Sequence, residues 1–130
     1  MLTSLIAGEP STVDVLEKTT PRYTAVITDD QGVAIPLVSL VTLTLFLYVI
    51  KSDGTPSYIL GAAGAPQNVL NANNVTADAN GNLVWSIQTT DTTFVEALPF
   101  ELHIALFTWT TATITGRHEL HLTVKNLQEI

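Results

Sequence analysis

FELHIALFTWT (Phe100–Thr110), TATIT (Thr111–Thr115) and GRHELHLTVKNL (Gly116–Leu127) follow one another in the last third of the chain. The first and third runs alternate apolar and polar residues with a period of two, and a small Thr-rich turn separates them. That pattern predicts a β-hairpin. Leu102, Ile104 and Leu106 share one face of the first strand, and Leu120, Leu122 and Val124 share one face of the second. Setting Thr110 opposite Gly116 brings the two aliphatic faces together, with Ile104 opposite Leu122 and Leu106 opposite Leu120. The other face then pairs Glu101 with Lys125 and Trp109 with Arg117, an ion pair and a cation–π pair. In this register Phe107 and Trp109 lie on the outer face of the hairpin.

The rest of the chain also reads as strands and turns. Ser39–Ile50 is the strongest strand, and it alternates: Val41, Leu43, Leu45, Leu47 and Val49 against Thr42, Thr44, Phe46 and Tyr48. It ends a stretch, Val33 to Ile50, that carries no charged residue and is nearly long enough to cross a membrane. The alternation, Pro36, Ser39 and the threonines argue for a strand with one buried face instead. Arg22–Thr28 reads as a strand, followed by a turn at Asp29–Gly32. Ser52–Thr55 is a hairpin-type turn with Ser57–Leu60 as the returning strand. GAAGAP (Gly61–Pro66) is a loop, and Gln67–Leu70 a short strand. Asn80–Gly81 is a tight turn between Val75–Thr76 and NLVWSIQ (Asn82–Gln88), where Leu83, Trp85 and Ile87 point inward. Thr89–Ala97 is one or two helical turns, capped by Thr90 or Asp91 and ended by Pro99. About seven or eight sequential strands with short turns predict an all-β antiparallel sandwich.

Residues 1–20 are uneven. Leu2, Leu5 and Ile6 are apolar, GEPST interrupts them, and Val13 and Val15 follow before Pro21. A disordered terminus and an extended arm both fit, and the scattered apolar residues favour an arm that orders against a neighbouring subunit. The domain expected is then residues 21–130, with residues 1–20 as the arm. Leu2, Leu5, Ile6, Val13 and Val15 are its candidate partner contacts, and Phe107 and Trp109 are those of the hairpin.

Composition narrows function. The 130 residues make one domain with room for a core. Net charge is −7, with only five Lys and Arg, which disfavours a nucleic-acid surface. No Cys is present, which removes disulfides, thiol nucleophiles and Cys-based zinc sites. Met1–Pro10 lacks a basic region and an apolar run, so no secretory leader is expected. Low charge leaves much of the surface uncharged, which points to contact with partners.

Candidate chemistry is thin. His103 and His121, with Glu101 and Glu119, are expected on one outer face, where a His–carboxylate metal site is conceivable. His118 lies three residues from His121 and so faces the other way, which spoils a three-His set. The Asn-rich stretch Asn71–Asn82 holds a single acidic residue, Asp78, too few for an EF-hand calcium loop. No G-x-S-x-G elbow or phosphate-binding glycine loop occurs. Asp29, Asp30, Asp53 and Asp91 sit in turns or caps, where Asp serves the backbone. No cofactor is expected, and the chain reads as non-enzymatic. The exposed aromatics suit a protein partner, with a glycan platform as the alternative.

RYTAVITDDQGVAIPL (Arg22–Leu37), TLTLFLYVIKSDGT (Thr42–Thr55), ADANGNLVWSIQTTDTT (Ala77–Thr93) and HELHLTVKNL (His118–Leu127) carry a resemblance. Together they resemble the small immunoglobulin-like β-sandwich proteins of tailed-bacteriophage virions, in particular the N-terminal domain of phage baseplate upper proteins. The shared order is a strand, a D-x-x-G turn, an alternating strand ending in a DG turn, a G-x-x-x-W strand, a T-x-D-T segment and a terminal L-x-V strand. The resemblance implies an immunoglobulin-like fold and a structural role in many copies. The expected partners are copies of itself and other virion proteins, either major capsid or tail and neck proteins, and neither nucleic acid nor membrane. The expected location is the virion, after synthesis in the host bacterial cytoplasm. A capsid decoration or cement protein and a head–tail or neck component both fit, with size favouring the head. A tail or baseplate component and a host-glycan binding module are the alternatives. A small hydrolase or metal enzyme using His103, His121 and Glu101 has the least support.

Overall fold

The computed structural model describes residues 2–5, 11–29, 31–61, 65–96 and 99–125, with the first and last of these segments in strands. The strands are β1 (Leu2–Leu5), β2 (Ser11–Leu16), β3 (Arg22–Ile27), β4 (Thr42–Ile50), β5 (Pro56–Leu60), β6 (Gln67–Asn68), β7 (Val75–Ala77), β8 (Asn82–Ser86), β9 (Phe100–Thr110) and β10 (Thr115–Lys125). They form two sheets. The smaller runs β1-β3-β8-β7, and the larger runs β2-β10-β9-β4-β5. The short β6 continues the line of β5 along the same edge of β4. The architecture is an all-β sandwich, as the alternating runs predict.

The core lies between the sheets. Tyr23, Ala25 and Ile27 of β3 and Leu83 and Trp85 of β8 meet Leu43, Leu45 and Leu47 of β4 and Leu120 and Leu122 of β10. Trp85 and Phe107, one from each sheet, touch edge to face with ring centroids 5.7 Å apart. That geometry suits the ring quadrupoles. The aliphatic face of β4 is buried as expected, and the Val33–Ile50 stretch is a loop, a 3₁₀ turn at Leu37–Ser39 and a strand. No helix among the described residues is long and apolar enough to cross a membrane. Turns fall where short side chains replace backbone partners. Asp29 Oδ1 accepts the N–H groups of Gln31 and Val33, and Asp53 Oδ1 accepts the N–H and the hydroxyl of Thr55. Gly81, at φ +80°, packs so closely on the Ile35 backbone that a Cβ would clash.

Two expectations change. The first concerns residues 1–20. Their described strands, Leu2–Leu5 and Ser11–Leu16, do not stand apart as an arm: β1 pairs in parallel with β3 and β2 in parallel with β10, adding an edge strand to each sheet. Val15 is buried in the core and Val13 packs half-buried against it, so neither is available to a partner. Leu2 and Leu5 lie in β1, where only the backbone is described, and Ile6 lies outside the described residues.

The second concerns the hairpin. Thr110 pairs with Thr115, not Gly116, so the register is one residue tighter than expected. The Thr111 hydroxyl accepts the N–H groups of Thr113 and Ile114 and closes the shorter loop. A one-residue slip exchanges the faces of a strand. β10 keeps Leu120, Leu122 and Val124 inside, as expected. β9 is inverted: Ala105, Phe107 and Trp109 are fully buried, while Leu102, Ile104 and Leu106 point outward. Phe107 and Trp109 are therefore core residues and not partner contacts. The reason is volume. Trp109 sits opposite Gly116, and a Cβ there would collide with its indole. The ring fills the space that the glycine leaves.

Candidate interaction surface

The inversion of β9 builds the most distinctive surface of the molecule, the outer face of the larger sheet. Alternation sends Phe46 and Tyr48 of β4 outward. Pairing sets Phe46 beside Leu106 and Tyr48 beside Ile104, and Tyr58 of β5 lies beside Tyr48. Tyr58 contacts both neighbouring rings, with centroids 5.7 Å from Phe46 and 5.9 Å from Tyr48. Toward one end the face continues through Ile50, Leu102 and Phe100, which are 49%, 41% and 62% exposed. The result is an aromatic ridge on β4 and β5 beside an aliphatic ridge on β9. Threonines close the other end, where the Thr42 and Thr110 hydroxyls bond at 2.6 Å.

Beyond the ridges, β10 and β2 carry the charges of this face. The Glu119 carboxylate lies 2.8 Å from His121 Nε2, and Lys125 lies 3.7 Å from Asp14. Partial burial, then the carboxylate of Glu119 and then Tyr58, raise the pKa of the Tyr48 hydroxyl above its ordinary value. Tyr48 therefore stays a neutral hydrogen-bonding group.

The groups expected to carry chemistry are dispersed. His103 and His121 do not share a face: His103 is buried under the large sheet, and His121 is on its outside. His118 does face oppositely to His121, as its spacing requires, and is buried. No group of three or more potential metal ligands occurs among the described residues. His103 instead belongs to a buried clasp. Its Nε2 lies 2.6 Å from Glu101 Oε1, and its Nδ1 lies 2.8 Å from the Asp91 carbonyl oxygen. The two Glu101 oxygens accept the N–H groups of Val95 and Glu96, each at 2.9 Å. Glu96 in turn accepts the Ser52 N–H and hydroxyl. The clasp ties the segment after β8 to the β4–β5 turn.

Asp91 caps its 3₁₀ turn (Thr89–Thr92) backward, accepting the Gln88 N–H at 2.9 Å. Burial pushes its carboxyl up, against the opposing pull of that N–H and of His103. The Asn-rich loop likewise consumes its own polar atoms. Asp78 accepts the N–H groups of Asn80 and Asn82, and Asn71 accepts that of Ala77. The Asn82 side chain and those N–H groups hold the Asp78 carboxyl below its ordinary value.

Phe46 and Tyr48 were legible as outward residues. Tyr58, Leu102, Ile104 and Leu106 were not. The available signal was volume: Phe107 and Trp109 are the two bulkiest residues of β9, and a glycine on the next strand marks where a large ring must lie. No protein-family model matches the chain, and no curated protein matches it.

Proposed function

We propose that this chain is a non-enzymatic structural subunit of a tailed-bacteriophage virion, joining its neighbours through the outer face of the larger sheet. The observation that carries the reading is the outward-facing ridge of Phe46, Tyr48, Ile104 and Leu106, all half-buried, with the exposed Tyr58, on a sandwich whose core is already filled by other residues. Aromatic and aliphatic side chains packed in one uncharged band are the composition of an interface centre. The buried pair Glu101 and His103 favours the same reading, because both side chains are occupied in holding the segment after β8. The resemblance of Arg22–Leu127 to small immunoglobulin-like sandwich proteins of phage particles supplies the virion context. Within it, decoration or cementing of the capsid is preferred over a head–tail or neck position, because a single small domain suits a bridge between capsomers.

One observation favours a second reading. Three adjacent rings, one of them 40% exposed at Tyr58, could stack on sugar rings. This would make the chain a host-surface module of the tail or baseplate.

Sedimentation with phage particles separates the two. The structural reading expects the purified protein to pellet with tail-less heads. Pelleting only with particles that carry tails moves it to the neck, tail or baseplate. Failure to pellet with either, together with binding on a glycan array, overturns it in favour of the second reading.

A further inference from the structure

We infer that the occupant of the outer face is a second copy of this chain, paired face to face about a two-fold axis that runs along β9. The inference rests on the reading of that face as an interface and names its partner.

Charge is the first argument. The chain as a whole carries a net charge of −7, so two copies repel through most of their surfaces. The strands of the outer face do not share that excess. Arg117 and Lys125 balance Asp14 and Glu119, and the ridges of β9, β4 and β5 carry no charge. Two of the chain's five basic residues lie here. This is a surface on which copies can meet with little repulsion.

Self-complementarity is the second. An isologous pair brings each patch against its symmetry mate. Face-to-face sheets pack with their strands nearly aligned, and an axis along β9 preserves that alignment. It sets the aliphatic ridge on β9 against the same ridge of the partner. The aromatic ridge lies to one side of β9 and β10 lies to the other. Rotation therefore places Phe46, Tyr48 and Tyr58 over the partner's β10. There the partner's Arg117 meets ring faces, and the partner's His121–Glu119 pair meets tyrosine hydroxyls. Each contact occurs twice.

Size is the third. Five strands about 4.8 Å apart and about 17 to 35 Å long present on the order of 700 Å², within the range that each partner gives to a standard interface.

The test uses sedimentation velocity of the whole chain and of Ile104→Lys, with far-UV circular dichroism on both. The expected result is a dimer of the 14.0 kDa chain that Ile104→Lys reduces to a folded monomer. Because the chain has no Cys, Leu106→Cys provides an independent readout with a short bismaleimide. It is expected to cross-link to a dimer, whereas Val38→Cys, 90% exposed in the 3₁₀ turn before β4 and off the sheet face, is not. A wild-type monomer at about 100 µM, a dimer unchanged in Ile104→Lys, or equal cross-linking at both positions would overturn the inference. If the protein pellets with phage particles yet is a monomer alone, the pairing falls and the virion reading stands. A dimer that binds no particle reverses that outcome.

Discussion

The two faces of β9 use residue types in the opposite sense to their polarity. The inner face buries Glu101 and His103 beside Ala105, Phe107 and Trp109. The outer face leaves Phe100 and Leu102 largely exposed, with Ile104 and Leu106 half-covered. Hydropathy alone would exchange them. On the inner face, the polar pair is buried because each of its atoms finds a partner: two backbone N–H groups and His103 for Glu101, and a carbonyl oxygen for His103. A satisfied polar group can be buried at small cost, whereas an unsatisfied one cannot. On the outer face nothing among the described residues packs over the apolar ridge. The lesson is that available partners, inside or outside the chain, decide which side of this strand is wet.

Breaking the inner face should have the largest effect. Glu101→Ala removes one member of a buried pair and orphans two N–H groups, and is expected to cost about 3–5 kcal/mol in urea unfolding. Glu101→Gln, which retains an acceptor, should cost less. Equal stability of Glu101→Ala and wild type would mean that the clasp is not formed. Next comes the packing that fixes the register. Gly116→Ala drives a methyl into the Trp109 ring and is expected to cost about 1–3 kcal/mol by thermal unfolding. Under the alternative register, with Trp109 outside, the same substitution would be neutral or slightly stabilising.

The pH dependence sharpens the inner face further. The folded state raises the pKa of Asp91, so folding favours its protonated form. Its contribution is present below the unfolded pKa and is lost as pH rises through the folded value. Asp78 has the opposite sign: its lowered pKa adds stability above the ordinary carboxylate range, which is lost on acidification. Urea midpoints of Asp91→Asn, relative to wild type, should therefore improve as pH is raised from about 3 to about 7. Those of Asp78→Asn should worsen over the same range. The smallest effect on stability is expected on the outer face. Ile104→Lys should shift it by only about 0.5 kcal/mol, while abolishing association.

Most of the sandwich was legible because single elements declare their faces. β4 and β8 alternate cleanly, and Asp29, Asp53 and Asp78 stand at turns that they then hold. β9 misled because Glu101 and His103 read as solvent-facing, and because a loop one residue longer aligned Leu and Ile across the hairpin. Nothing local reveals that Val95 and Glu96 supply the donors. The N-terminal strands were obscure for a different reason. They pair in parallel at the edges of both sheets with partners distant in sequence, and in β2 Val13 and Val15 turn toward the core with the polar Asp14 between them.

The most direct test of the outer face is thiol labelling of Ile104→Cys in a chain that otherwise contains no Cys. Maleimide reaction would be timed in the dilute subunit and in assembled particles, with Val38→Cys as the open reference. The face described here predicts that Ile104→Cys reacts in the dilute subunit and is protected on assembly, while Val38→Cys reacts in both states. Equal reactivity of Ile104→Cys before and after assembly would contradict it.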